Sequence, residues 1–242
     1  MRLLWLHPRR TVEALAVEEA ILRSMLENGS PNTLCFWRGK RCVVFGFNPN
    51  HDRVNLTLCR ELGIPVCRRN SGGGAIYQDE GNLNYSLIAA QGGLGLPQEV
   101  QRARWIIDSV IAGALADLGL RARPMSSGGV SVDGKKVSGS AQFVLWGYLL
   151  HHGVVAVNPD VDLIRELFPF SRVEVTTLER ELGKGIGIEE LAGRIAARIA
   201  RTFGEGLFEG ELTEAEEEAA RALLEEKYLS NEWNYPWRNL YV

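Results

Sequence analysis

Between residues 33 and 157 the chain consists largely of short β-prone runs cut by glycine-bearing turns, with helical patterns before, within and after that region. Residues 33–47 break at Arg38-Gly39-Lys40, which predicts two strands joined by a turn. Three further β-type runs, IPVCRR, GAIYQ and LNYSLIA, are punctuated by SGGG and DEGN and predict successive antiparallel strands. Residues 130–141 alternate around Asp133-Gly134, a dipeptide that favours a tight hairpin, and 149–157 predicts a buried strand. Apolar residues at helical spacing mark 11–27, with Thr11 as N-cap and Gly29 just past the end. Helices are also predicted over 55–62, 98–118, 189–203 and 213–228, the last opened by Thr213 and Glu216 at capping-box spacing. No Pro/Ser-rich linker or internal repeat divides the sequence. The expected architecture is α+β: a single catalytic-size domain over residues 1–242, with helices flanking a largely antiparallel or mixed sheet.

Composition narrows the function. With 242 residues, 45% of them hydrophobic, the chain can bury a sizeable core. A net charge of -3 gives no general electrostatic attraction for a polyanion, so no nucleic-acid partner is expected. No apolar run approaches the ~20 residues that span a bilayer. The N-terminus lacks the pattern of a secretion signal, so the expectation is a cytoplasmic protein without a membrane partner. Cys35, Cys42, Cys59 and Cys67 form no CxxC pair and no zinc-type spacing with the histidines; they read as buried reduced thiols, with no protein metal cage.

Three clusters carry chemistry. In RRNSGGGAIYQDEGNLNYSLI (68–88), the glycines are followed by neither the Lys-Ser/Thr pair and helix of a P-loop nor the third glycine of a dinucleotide fingerprint. Gly72, Gly73 and Gly74 can instead let bare backbone approach a ligand, beside the guanidinium of Arg68 or Arg69. The plainer reading is a flexible turn with solvated arginines. Against it stands the polar group that accompanies the glycines: Ser71, Asp79, Asn82, Asn84 and Ser86. In DGKKVSGSAQ (133–142), strand alternation puts Lys136, Ser138 and Ser140 on one face and Lys135, Val137 and Gly139 on the other. This gives either a lysine beside two small hydroxyls, with room for a substrate, or an exposed hairpin lysine. HHGVVAVN (151–158) sets His151 and His152 at a buried strand, each a catalytic candidate or an ordinary hydrogen-bonded histidine.

Taken together, RRNSGGGAIY, GNLNYS, GKKVSGSAQ and HHG resemble, in order and spacing, the lipoate-protein ligase A family, within the wider biotin/lipoate ligase superfamily. The likeness runs from the Ala14–Ile21 region through PNTLCFWRGKRCVVFG to EKYLSNEWNY. It implies a biotin/lipoate ligase-like fold and an ATP- and Mg²⁺-dependent reaction. Lipoate or octanoate would be activated to the acyl-adenylate, then passed to a lysine of a lipoyl carrier domain of the 2-oxoacid dehydrogenase E2 or glycine-cleavage H-protein type. The implied catalytic group is Lys136. The implied substrate and adenylate contacts are Arg69 on the phosphate, Ser71, Gly72, Gly73, Gly74, Ala75, Asn84, Ser138, Gly139, Ser140 and Ala141, with His152 in support. Val43, Val66, Ile76 and Val137 are candidates to line a tunnel for the acyl chain, where about seven methylenes at about 0.8 kcal/mol each would hold the tail.

The sequence also departs from the family. Octanoyltransferase relatives carry a nucleophilic cysteine ahead of the lysine motif, where this chain reads PMSSGGVSVDG, and Ser126 or Ser127 would be a poor replacement without an activating base. In GFNPN (46–50), Phe47 and Pro49 stand where relatives commonly have a basic residue and a glutamine. The likeness is to a short form lacking the accessory C-terminal domain, so a small separate accessory subunit is expected. The alternatives are transfer from a preformed acyl donor and a non-catalytic module that only binds an acyl ligand or carrier.

Overall fold

The computed structural model describes residues 1–235. Residues 236–242, the end of the expected domain, lie outside that description. In chain order the strands are β1 (Arg2–Leu6), β2 (Thr33–Arg38), β3 (Cys42–Phe45), β4 (Val66–Arg68), β5 (Ile76–Gln78), β6 (Asn82–Ala90), β7 (Ala122–Pro124), β8 (Val130–Val132), β9 (Lys135–Lys136), β10 (Ser138–Leu145), β11 (Tyr148–Ala156) and β12 (Phe208–Glu209). The helices are α1 (Thr11–Asn28), α2 (Leu56–Glu61), α3 (Val100–Ala116), α4 (Val161–Leu167), α5 (Leu178–Leu182), α6 (Ile188–Phe203), α7 (Glu214–Leu223) and α8 (Asn231–Asn234). They build an α+β fold on mixed sheets, as expected.

The main sheet has six strands in the order β10-β11-β6-β2-β1-β12. It is antiparallel from β10 to β2 and parallel from β2 through β1 to β12. Its register puts Gly139, Ala141, His152, Val154, Asn84 and Trp37 on one face, and Ser138, Ser140, His151, Val155, Tyr85 and Phe36 on the other. Helix α1 covers the first face, where Ile21, Leu22 and Met25 pack with Cys35, Ile88 and Leu150. Helices α3 and α6 cover the second, where Ile107, Ile111, Ile195 and Ile199 pack with Leu83, Leu87 and Val155. Burying a leucine or isoleucine contributes roughly 1.5–3 kcal/mol each, so both faces are pinned. Among the described residues no helix is long and apolar enough to cross a membrane.

Several local expectations hold. Asp133 and Gly134 both adopt positive φ, 48° and 85°, the twist a tight β8–β9 hairpin needs. Gly29 ends α1 at φ 68°, and Thr213 and Glu216 close a reciprocal capping box on α7. Thr11 does not cap α1. The carboxylate of Glu13 accepts from the backbone N–H of Arg9 and Arg10 at 2.8 and 3.3 Å, while the Thr11 hydroxyl donates to the Lys40 carbonyl.

One pairing expectation is corrected, and the turn at residues 38–40 joins two strands as expected but carries the chain from one sheet to another. β2 and β3 are both strands but sit in different sheets, because Gly39 N–H bonds to Asn82 O and the chain peels away over the backbone of Asp79. The three runs after residue 63 are not successive antiparallel neighbours. β3 lies between β4 and β5, parallel to the first and antiparallel to the second, and β6 leaves for the main sheet. The glycine stretch connects β4 to β5 across β3, so it is a crossing loop rather than a hairpin turn.

Candidate active site

The glycine loop is held from inside by its own arginine. Arg69 Nε donates to Ser71 Oγ at 3.0 Å, Nη1 to Val44 O at 3.3 Å, and Nη2 to Gly72 O and Gly74 O at 2.5 and 2.9 Å. The guanidinium expected on a phosphate thus organises the loop's carbonyls, with an edge toward the smaller of two cavities described below. Burial lowers its pKa to about 10. Gly46 backs the loop so closely that a Cβ there would lie 2.1 Å from Gly73 O. The C-terminal segment clamps the strand ahead of it: Asn234 Oδ1 accepts from Arg68 N at 2.9 Å, and Trp233 Nε1 donates to Arg68 O at 2.7 Å. The Arg68 guanidinium stacks 3.7 Å over the Trp233 ring.

A buried string of side chains joins the loop to α1. Ser71 Oγ lies 2.6 Å from His152 Nε2, and His152 Nδ1 lies 2.7 Å from Glu18 Oε2. Glu18 also accepts from Trp37 Nε1 at 3.0 Å and from the Ser86 hydroxyl. His152 thus bridges Ser71 of the loop and Glu18 of α1. Sequence reasoning missed Glu18, although it shares the helical stripe of Ala14, Ile21 and Leu22, where a carboxylate must find buried partners. Next to it, Glu19 gathers Lys227, Tyr228 and Asn70. Asp79 and Asn82 serve a turn instead of a ligand: Asp79 accepts from Gly81 N and Asp160 N, and Asn82 accepts from Asp79 N.

Lys136 stands at a seam between two sheets. β9 ends with it, Val137 belongs to no strand, and β10 starts at Ser138 in the main sheet. Val137 is locked by Val137 N to Val130 O at 3.0 Å and Ala156 N to Val137 O at 2.8 Å. The break resets the alternation. The Lys136 side chain lies over Gly139, where an added Cβ would sit 3.6 Å from Nζ. The expected shared face with Ser138 and Ser140 is therefore corrected. Ser140 points the other way and donates to Asp108 Oδ2 at 3.0 Å, and Ser138 Oγ is buried on that same side. Gly139 thus supplies the space that the hydroxyls were expected to provide. Burial pushes the Lys136 pKa below its ordinary value; Arg69 and Arg104 push the same way, and Asp108 opposes them.

Two cavities meet at this lysine, of about 640 and 130 Å³. Gly73, Gly74, Ala75, Ile76, Lys136 and Gly139 line both. The smaller is walled by Leu15, Trp37 and Val44, with Asn84, Ala141 and His152 also facing it. The larger carries Arg53, Arg165 and Arg172, cations that no sequence motif singled out, along with Phe168 and Phe170. Asn48, Pro49 and Asn50 of the GFNPN loop face it too. Of the proposed tunnel residues, Ile76 lines both cavities and Val137 the larger. Val43 and Val66 do not; they pack with Phe45, Val54 and Ile64 in a separate core. Ser127 reaches the smaller cavity, and among the described residues no cysteine lines either one. All four thiols are free and buried, with Cys42 Sγ and Cys67 Sγ 3.4 Å apart.

The sheet arrangement, together with a lysine at the junction of two chambers that share a glycine wall, matches the fold shared by lipoate and biotin protein ligases. Residues 10–200 match the lipoyl protein ligase A/B catalytic domain, and the chain belongs to that family of enzymes. It is similar to lipoate-protein ligase A subunit 1 of Thermoplasma acidophilum, 29% identical over 94% of this chain and 93% of that one. It is also 30% identical to the octanoyltransferase LipM of Brevibacillus brevis, over 91% and 93% of the two chains. A solved T. acidophilum protein with bound lipoic acid superposes with a TM-score of 0.87 at 28% identity, covering 97% of this chain and 98% of that one. A lipoate-protein ligase A bound with ATP gives 0.87 at 29%, covering 96% and 97%. A bipartite T. acidophilum ligase studied with its E2 lipoyl domain gives 0.86 at 29%, covering 96% and 95%.

Proposed function

We propose that residues 1–242 form the catalytic domain of a cytoplasmic lipoate-protein ligase, which activates lipoate or octanoate with ATP and transfers the acyl group to a lysine of a lipoyl carrier domain. The observation that carries this reading is the position of Lys136 at the junction of the two chambers. Solved relatives that hold lipoic acid and ATP support it.

In the first step a carboxylate oxygen attacks the α-phosphorus, and pyrophosphate leaves. Carboxylate and phosphate repel each other, and an ammonium between them offsets that repulsion as charge develops. In the second step the neutral carrier amine attacks the acyl carbonyl, an amide forms, AMP departs with the bonding electrons, and the amine's proton passes to solvent. The same ammonium then faces the carbonyl oxygen. Arg53, Arg165 and Arg172 balance the polyphosphate, and the acyl tail takes the chamber of Leu15, Trp37 and Val44. Its wall includes Gly73, Gly74 and Ala75 of the loop held by Arg69 and, through Ser71, by His152. Glu174 and the amides of Asn48 and Asn50 face the larger chamber, hard oxygen donors that would fit Mg²⁺ beside phosphate oxygens. That ion would neutralise phosphate charge.

The carrier is of the E2 or H-protein type, and the likeness to subunit 1 of a two-part ligase supports a small accessory subunit. The test is mass spectrometry of a lipoyl carrier domain incubated with this chain, ATP, Mg²⁺ and each acid, with and without that subunit. A mass gain dependent on ATP and free acid supports ligation; no gain in any arm refutes it. The second reading, transfer from a preformed octanoyl donor, rests on the likeness to LipM. Carrier modification from octanoyl-carrier protein without pyrophosphate release would favour that reading, although no cysteine is available at the cavities as its nucleophile.

A further inference from the structure

Lys136 is held at its backbone by a segment from beyond its own hairpin. Lys136 N donates to Glu174 O at 2.8 Å and Thr176 N donates to Lys136 O at 2.9 Å, so residues 174–176 run alongside β9 with a parallel bridge at Val175. The chain just ahead of that bridge belongs to the larger chamber, which Phe170, Arg172, Val173 and Glu174 line. Phe170 and Val173 are exposed, so packing of their own does not fix the stretch. A carboxyl oxygen from α5 fixes it instead. Glu181 Oε1 accepts from Thr176 Oγ1 at 2.7 Å and from Lys135 Nζ at 2.9 Å. These bonds close a ring that runs from Lys135 through the peptide to Lys136, across to Thr176, on to Glu181 and back to Lys135. α5 can serve as the anchor because Leu178 is fully buried in the core that α3 and α6 build, and Glu179 N donates to Val157 O at 3.2 Å. Burial alone would raise the Glu181 carboxyl, but the bonds from Thr176 and Lys135 bring it below the ordinary 4.5, so it accepts as an anion at neutral pH.

We propose that Glu181 is a positioning residue for the reaction: through Thr176 and Lys135 it locks the backbone of Lys136 and the 172–174 wall of the larger chamber into one unit, so that the ammonium and the Arg172 guanidinium meet the nucleotide from fixed positions. Without the carboxylate, the bridge at Val175 keeps only its two backbone bonds and the wall can part from β9. Misplacing a reacting group by about 1 Å costs about 10²-fold in rate, so a loose bridge is felt at the chemistry. The effect is one-sided. Lys135, Thr176 and Glu181 line neither chamber, and the 172–174 wall borders only the larger one, so the smaller chamber keeps its shape when the lock is opened.

The inference rests on the reading of Lys136 as the working ammonium, and its test has one readout that needs no turnover. Glu181→Ala, Glu181→Gln and Thr176→Val are compared with the parent by pyrophosphate release with ATP and lipoate, by calorimetric binding of lipoate alone, and by amide hydrogen exchange. In Glu181→Ala, kcat/KM for ATP is expected to fall about tenfold or more, with KM raised and kcat lowered together. The affinity for lipoate stays at the parental value. Exchange at the Lys136 and Thr176 amides accelerates, while amides of β11 and α3 keep their protection. Glu181→Gln leaves an oxygen acceptor in place and is expected to recover most of the parental kcat/KM. Thr176→Val keeps the side chain's shape, deletes only the hydroxyl, and is expected to show the same split in weaker form. Parental ATP kinetics in Glu181→Ala overturn the proposal, as does a joint loss of lipoate affinity and of protection throughout the core, which marks a merely structural role. Glu181→Gln behaving like Glu181→Ala also overturns it. Should Glu181→Ala fail to fold, unchanged exchange at Lys136 in Thr176→Val is the refuting result. If the parent shows no ATP-dependent turnover, the proposed function fails, while exchange at the two amides still decides whether Glu181 holds the lock.

Discussion

Lys136 and Glu18 show how far single residues explain the site. In the proposed mechanism the working form of Lys136 is the cation, so activity is expected to fall as pH rises through its folded pKa. Burial places that value below the 10.5 of an ordinary lysine, and the alkaline fall in pyrophosphate release therefore comes at lower pH than a solvated lysine would give. Lys136→Ala is expected to lower kcat/KM by about 10²–10³, the usual cost of removing one transition-state donor. Glu18→Ala would strand the Trp37, Ser86 and His152 donors in a dry interior. A loss of about 3 kcal/mol or more is expected from urea unfolding, since each orphaned buried group costs about 1–3 kcal/mol. The motif likeness found Lys136 in the sequence, but strand alternation put it on the wrong face. The break at Val137 is made by Val130 and Ala156, partners 7 and 19 residues away in sequence that no local pattern reveals.

At the scale of elements, the glycine loop behaves as a small rigid body braced by its neighbours. Of its three glycines only Gly73 has a positive φ, 89°, and Gly72 and Gly74 have no atom within 4 Å of an added Cβ. Gly73→Ala is expected to lower stability by about 1–2 kcal/mol through backbone strain alone, and Gly72→Ala to add no such strain; paired thermal melts make the comparison. The Trp233–Asn234 clamp is a second brace. Asn234→Ala leaves the Arg68 N–H without its acceptor, so hydrogen exchange at that amide should accelerate markedly, with a cost of about 1–3 kcal/mol. Helices α1, α3 and α7 were legible because their apolar stripes, the Gly29 end of α1 and the capping box of α7 are local in sequence. Strand partners were not: β4 and β5 read as neighbours, and only the crossing of the loop over β3 separates them.

Across the whole molecule, buried acid pairs sew distant parts together. Arg2 on β1 and Glu216 on α7 meet at 2.6 Å, and Glu19 on α1 holds Lys227 at 2.6 Å. Burial alone would raise both carboxyls, but hydrogen bonds from Arg2 to Glu216, and from Lys227 to Glu19, bring them below the ordinary 4.5. Their stabilisation is therefore present above the unfolded carboxylate range and lost as pH falls through the folded values. Thermal midpoints should drop on acidification below about pH 4.5, and Glu216→Gln should flatten that drop. The α+β class was readable from the order of patterns. The cationic chamber was not, because Arg53, Arg165 and Arg172 come from separate stretches that only the fold assembles. Since residues 73–76 form a party wall between the two chambers, whatever tenant settles in one leans on masonry the other also needs. Under the proposed function, any coupling between acid and nucleotide through that wall is reciprocal: each changes the other's affinity by one common factor, whichever arrives first.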